Sequence, residues 1–327
     1  MKKSQAGEFA LIERICRDSA ARAMGRVRLG IGDDCAVLRP PSGHEILVTT
    51  DFCLEGRHFR RNWHTPESVG HRCLARGLSD LAAMGAKPMA AFLSLALPAG
   101  IEAGWVDRFF AGLRSLADEA QVPLAGGDTA SSPSEHVLAD IVLIGSAPAG
   151  KALQRSTAGP GDLLYVTGEL GGAAAELLAL QERPGRARRP GATGEHPQMF
   201  PEPRLKVGAA LLRRRLATAC IDVSDGLSTD LKHICEASGV GAEIELERLP
   251  IHKLAKGEVN LALHGGEDYE LLFAVRPTTK VPRKIGGVPI TKIGKFIRQA
   301  KGPLMVAIDA SGKRTSLEAG GWEHRIG

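Results

Sequence analysis

The chain has 327 residues, 43% of them hydrophobic and 24% charged, with a formal net charge of +5. That length exceeds what one growing core accommodates, so two domains are expected, and the composition excludes long disordered stretches. The basic residues are scattered apart from 186–189 and Arg213 to Arg215, and no basic stripe with interleaved aromatics exists, so nucleic acid is not an expected partner.

In chain order, Glu13, Arg14, Arg17 and Asp18 stand where a secretion signal would need an apolar core, so the expected location is cytoplasmic. Residues 45–50 are apolar and β-branched and read as a strand that ends at Asp51. Val69, Cys73, Leu74, Leu78 and Leu81 give a helical spacing from Pro66 to a stop at Gly85, which places Asp80 in the C-terminal half of a helix. A carboxylate there opposes the helix dipole, and a nearby cation would offset the cost. Strands at 90–97 and 139–145 flank a second amphipathic helix marked by Val106, Phe109, Phe110, Leu113 and Leu116. Residues 89–101 are too few to span a bilayer and Pro98 interrupts them, so no membrane is expected.

The first domain is expected to cover 1–147 and the second 148–327. Beyond the boundary the chain reads as a strand at 162–166 and a helix at 172–181. A Pro-, Gly- and Arg-rich stretch at 183–203 reads as a surface loop. Helices at 204–216 and 225–237 follow, the second capped by Ser224 or Asp225, with strands at 242–247, 269–275, 290–294 and 304–308. Strands alternating with helices in both halves give the class α/β. The six cysteines form no C-x-x-C pair, which excludes a zinc ribbon or redox dithiol and leaves them as small buried groups.

Six short acidic segments carry the chemistry: Gly-Ile-Gly-Asp-Asp ending at Asp34, Thr-Thr-Asp51, Leu-Ser-Asp80, Gly-Gly-Asp-Thr129, Asp222-Val-Ser-Asp-Gly226 and Gly-Gly-Glu-Asp-Tyr269. Carboxylate oxygens suit hard cations such as Mg²⁺, which proteins share with substrate phosphates rather than enclose. Glycine beside the acids lets the backbone approach a phosphate closely. Each segment alone also has an ordinary reading as a turn or, for Asp225, a helix cap. No G-x-x-x-x-G-K-[ST] exists, so any bound nucleotide has its phosphates held by acidic loops and metal ions.

In this order, together with Gly7-Glu-Phe-Ala-Leu-Ile12, Gly-Arg-His-Phe59 and Glu270-Leu271, the motifs resemble the thiamine-monophosphate kinase family of the aminoimidazole-ribonucleotide synthase superfamily. The resemblance implies a two-domain fold with mixed sheets, the N-terminal sheet forming a homodimer interface, and phosphoryl transfer from ATP to thiamine monophosphate. Asp34, Thr49, Thr50, Asp51, Asp80, Asp128, Asp222 and Asp225 match metal-ligand positions for several Mg2+ ions. Gly127, Asp128, Arg155 and Ser224 match positions that contact ATP, while His58, Glu267 and Trp322 match the thiamine-phosphate side. No side chain is expected to be catalytic beyond metal-assisted transfer. Gly77 stands where the family usually has Asn. The rival readings are a purine-pathway cyclase of the same superfamily and a non-catalytic divalent-cation binder, although EF-hand spacing is absent.

Overall fold

The computed structural model describes residues 25–31, 33–182, 195–299 and 301–322. The expectations at Cys16 and over 183–194 lie outside the described residues. Two compact units emerge, the first containing 25–81 and 87–150, the second containing 82–86, 151–182 and 195–322.

In the first unit a short antiparallel pair, β1 (Val27–Leu29) and β2 (Val37–Leu38), precedes a four-stranded sheet. Its strands are β3 (His44–Leu54), β4 (Lys87–Leu97), β5 (Leu124–Ser131) and β6 (Leu138–Pro148), in the order β3-β6-β4-β5. Only β4 and β5 run parallel. Helices α1 (Pro66–Ala83) and α2 (Ala103–Ala120) complete the unit. The sheet has one covered and one open face, and β3 shows it residue by residue: Leu47 and Cys53 are buried, whereas Ile46, Val48 and Phe52 are 44%, 64% and 61% exposed.

Two expectations change here. The strand does not end at Asp51 but runs three residues further, because Asp51 pairs with Ile141 and its charge is met by Arg76. Strand β5 was not foreseen, since Gly126 and Gly127 depress strand propensity. At Gly77, where the family usually has Asn, a Cβ would lie 2.8 Å from Leu143 Cδ1, so a larger residue there requires the Leu143 side chain to shift.

The second unit is built on an eight-stranded sheet, ordered β14-β13-β9-β12-β7-β10-β8 with β11 beside β12. These strands are β7 (Leu163–Thr167), β8 (Ala219–Val223), β9 (Val240–Glu245), β10 (Glu270–Val275), β11 (Lys284–Ile285), β12 (Val288–Arg298), β13 (Met305–Ile308) and β14 (Arg314–Ser316). β9 and β13 are parallel and the other pairs antiparallel, so the sheet is mixed. Helices α3 (Gly172–Glu182), α4 (Leu205–Arg213), α5 (Leu227–Ser238) and α6 (Val259–His264) surround it. Strand β10 is buried at every position, as its unbroken apolar run Leu271 to Val275 requires of a strand covered on both faces. Leu272 and Ala274 join the core that contains Leu231 and Ile234 of α5, whereas Leu271, Phe273 and Val275 join the one that contains Val207 and Leu211 of α4.

Three readings are corrected. The helix expected from Asp225 starts at Leu227, and neither Ser224 nor Asp225 caps it. The segment 195–203 has no regular structure, yet it is no surface loop throughout, since Gln198 and Met199 are buried. Cys35 is exposed, while Cys53, Cys73, Cys220 and Cys235 are buried. No described helix is long and apolar enough to cross a membrane.

Candidate active site

On the covered face of β3 the alternation brings Thr49 and Asp51 toward α1. The Thr49 hydroxyl donates to Asp80 Oδ2, and Arg76 Nη2 lies 3.2 Å from Asp51 Oδ1. The sequence called for a cation to relieve Asp80 near the helix end. In the structure Asp80 accepts the Thr49 hydroxyl, and Arg76, four residues earlier on α1, pairs with Asp51. Thr50 points to the open face, where its hydroxyl donates to Asp140 at 2.8 Å. Asp128 is on that face too, since its register partner Ser94 pairs with Asp140, and Asp140 pairs with the exposed Phe52. One sheet thus separates Thr49, Asp51 and Asp80 from Thr50 and Asp128.

Gly127 precedes Asp128 at φ 153°, and a Cβ there would lie 2.0 Å from the Leu93 carbonyl oxygen, so glycine alone permits this β4–β5 approach. A cavity of about 110 Å³ opens beside it, lined by Leu93, Leu95, Phe110, Gly127 and Asp128 among others. Asp34 is on the exposed loop between β1 and β2, its N–H donating to Asp33 Oδ1 at 2.8 Å. His58, just after β3, accepts at Nδ1 from the Leu54 N–H at 2.9 Å, and its carbonyl accepts from the buried Arg72 at 3.0 Å.

In the second unit, Asp222 is buried near the end of β8, and the chain then turns through Ser224 and Asp225 into α5. Asp230, in the first turn of α5, accepts the N–H groups of Ser224, Asp225 and Gly226 with one oxygen, each at 3.1 Å. A carboxylate at a helix N-terminus is favoured by the exposed amides and the dipole. Burial nevertheless raises the Asp230 pKa well above the usual carboxylate range, and the charges of Asp222 and Asp225 push it the same way. Ligand atoms of Asp225, Asp230 and His233 all lie within 4.8 Å of one another, a donor set that could hold a cation. Sequence reading missed Asp230 and His233, although their three-residue spacing on a helix was available as a signal.

Two further segments close on this turn. The Glu267 N–H donates to the Ser224 carbonyl at 2.7 Å, and the Trp322 N–H donates to the Asp225 carbonyl at 2.9 Å. Ser224, Asp225, Glu267 and Trp322, scattered over a hundred residues of sequence, therefore share one place. Arg155 is exposed on a segment laid along β8, where the Cys220 N–H donates to the Gln154 carbonyl at 3.0 Å.

Residues 32–147 match the family described as AIR synthase related protein, N-terminal domain, and residues 159–307 match AIR synthase related protein, C-terminal domain. The thiamine-monophosphate kinase of Escherichia coli (strain K12) is 38% identical over 97% of this chain and 98% of its own length. The chain belongs to the thiamine-monophosphate kinase family. The enzyme of that name from Bacillus subtilis (strain 168) is 35% identical over 97% of this chain and 99% of its own. Among solved structures, the thiamine-monophosphate kinase of Stenotrophomonas maltophilia K279a superposes with a TM-score of 0.77 at 34% identity, covering 92% of this chain and 96% of that one. The complex of AaThiL with AMPPCP and TMP gives a TM-score of 0.73 at 28% identity, covering 99% of both chains. HypE in complex with ATP, at 18% identity and a TM-score of 0.78, shares the fold.

In this thiamine-monophosphate kinase family member the Gly-Gly-Glu-Asp-Tyr motif has a second acid with a different job. Asp268 is buried and accepts the N–H groups of Gly171 at 2.7 Å and Ala173 at 3.2 Å, fixing the start of α3. Burial raises its pKa from 3.8 to about 7, with the neighbouring Glu270 adding to the shift and the backbone N–H groups of Gly171, Ala173 and Gly172 opposing it. A raised carboxylate pKa means that protonation favours the fold. The contribution is fully present below pH 3.8 and lost as pH rises through about 7. Wild type should therefore lose stability relative to Asp268→Asn as pH climbs across that window, read as urea midpoints of the two proteins; parallel curves would refute the assignment.

Proposed function

We propose that this chain transfers the γ-phosphoryl group of ATP directly to the phosphate of thiamine monophosphate, giving thiamine diphosphate and ADP, the last step in making that cofactor. The observation that carries the reading is the convergence of Ser224, Asp225, Glu267 and Trp322 in the second unit, which joins residues expected on the phosphate side to residues expected on the thiamine side. Full-length similarity to thiamine-monophosphate kinases supports it.

The acceptor oxygen is already ionised near neutral pH, so no strong base is needed, and the main obstacle is repulsion between two polyanions. The residues present fit a hard divalent cation: carboxylates and hydroxyls dominate, and of the two thiols beside proposed ligands Cys53 is buried in the core while Cys35, next to Asp34, is exposed but is a soft donor that such an ion disfavours. Thr49, Asp51 and Asp80 in the first unit and Asp222 and Asp225 in the second would hold Mg²⁺, with Asp34, Thr50 and Asp128 as further proposed ligands. Bound Mg²⁺ neutralises phosphate oxygens and supports in-line transfer. Arg155 offers a planar fork of donors to phosphate, and Gly127, Asp128 and Ser224 are the other proposed ATP contacts. Glu267 and the half-exposed Trp322 indole suit a cationic thiazolium ring by charge attraction and cation–π contact, with His58 on the same substrate.

The reading carries with it a cytoplasmic location, no nucleic-acid or membrane partner, and a homodimer. Support for the dimer comes from the open sheet face, where Ile46, Val48 and Phe52 are large apolar side chains left exposed in the single chain. Val48→Asp should convert a dimer to a monomer of half the mass by light scattering, and a dimer that persists would point to another surface.

Turnover separates the alternatives. Thiamine monophosphate should be phosphorylated in a reaction that stops with chelator and returns with Mg²⁺. Turnover of formylglycinamidine ribonucleotide instead would favour the cyclase, and turnover of neither would favour a cation binder.

A further inference from the structure

We propose that Gln198 is a positioning residue that holds the Glu267 carboxylate in place for the cationic acceptor, with Glu176 setting the position of Gln198 in turn. The inference rests on the assignment of Glu267 to the acceptor made above.

Gln198 belongs to the irregular segment 195–203, yet its side chain is buried, with the residue only 1% exposed. Its amide Nε2 donates to Glu267 Oε2 at 2.8 Å. Glu176 fastens the segment: its buried carboxylate on α3 accepts the N–H groups of Gln198 at 2.8 Å and Met199 at 3.4 Å, and its other oxygen lies 2.7 Å from His196 Nδ1. A chain with no helix or sheet of its own is in this way held where Gln198 meets Glu267.

The Glu267 backbone is also pinned, at φ 66° with its N–H on the Ser224 carbonyl. That fixes its Cα but not the torsions of its long side chain, which have to be set before one oxygen can face a ligand. A carboxamide is suited to setting them. Lys or Arg in the same place would neutralise the carboxylate and compete with a cationic ligand. A neutral amide donates a hydrogen bond and leaves the negative charge in place.

Steady-state kinetics on four proteins tests this: wild type, Gln198→Met, Glu267→Gln and the double variant. Gln198→Met should raise KM for thiamine monophosphate about tenfold, the loss of one hydrogen bond to a charged group, while KM for ATP stays within about twofold. The double variant should be no worse than Glu267→Gln alone. An unmoved thiamine-monophosphate KM in Gln198→Met, equal movement of both KM values with a fall in Tm, or fully additive effects in the double variant would each overturn the inference. If Glu267→Gln itself leaves that KM unchanged, the assignment of Glu267 falls and the inference with it. If it raises KM and Gln198→Met does not, only the positioning role falls. Should Gln198→Met fail to fold, Gln198→Asn, one methylene too short to reach, carries the same comparison.

Discussion

Replacing Asp51 by Asn should lower kcat by about 100-fold or more, on the scale of losing one preorganised charge contact at a reacting phosphate, and change the melting temperature little. Asp51 sits in the middle of β3, paired with Ile141, so its backbone is fixed by the sheet and not by its side chain. The side chain is partly exposed and lies 3.2 Å from Arg76, a contact that the remaining oxygen of Asn can keep. Asn keeps the shape and one oxygen but removes the charge. If that charge serves a cation, the loss appears in turnover at saturating Mg²⁺ and not in folding. Near-normal kcat under those conditions would end its role as a ligand.

The largest loss of stability is expected at Arg204. Its guanidinium donates to Glu270 through Nε at 2.7 Å and Nη2 at 2.5 Å, and to Glu202 through Nη1 at 2.8 Å. Burial works against its charge, but Glu270 and Glu202 outweigh burial and hold its pKa above the ordinary value. Glu270 is buried on β10 and has the Thr167 hydroxyl as a further donor at 2.5 Å. Arg204→Met strands that carboxylate without its charge partner, which costs about 3–5 kcal/mol. Arg204→Met with Glu270→Leu should recover much of the loss, because replacing both members of a buried pair is often close to neutral. Urea unfolding reads both variants, and a cost below about 1 kcal/mol for the single change would place the pair among ordinary surface bridges.

How much of this was legible depends on the kind of signal each segment carries. Helix α1 was readable from Val69 to Leu81 because its apolar stripe is regular and Gly85 ends it. Strands β5 and β8 were not: paired glycines weaken the first, and Asp222 interrupts the apolar run of the second. Helix α6 is only six residues long, too short for a period to show. The acidic positions were visible through glycine and hydroxyl neighbours, but their grouping was not. Whether Thr49 or Thr50 faces α1 depends on the phase of a two-residue alternation, which only the pairing of β3 with β6 fixes. Asp230 stayed hidden because a helix was started two residues early, and Gln198 because its segment looks like a loop by composition.

The most direct measurement is phosphorus NMR of a mixture of the protein, ATP, thiamine monophosphate and Mg²⁺. The account predicts that the terminal phosphate of thiamine diphosphate appears in step with ADP, one for one, with no free phosphate. ADP and inorganic phosphate accumulating while thiamine monophosphate persists would contradict it.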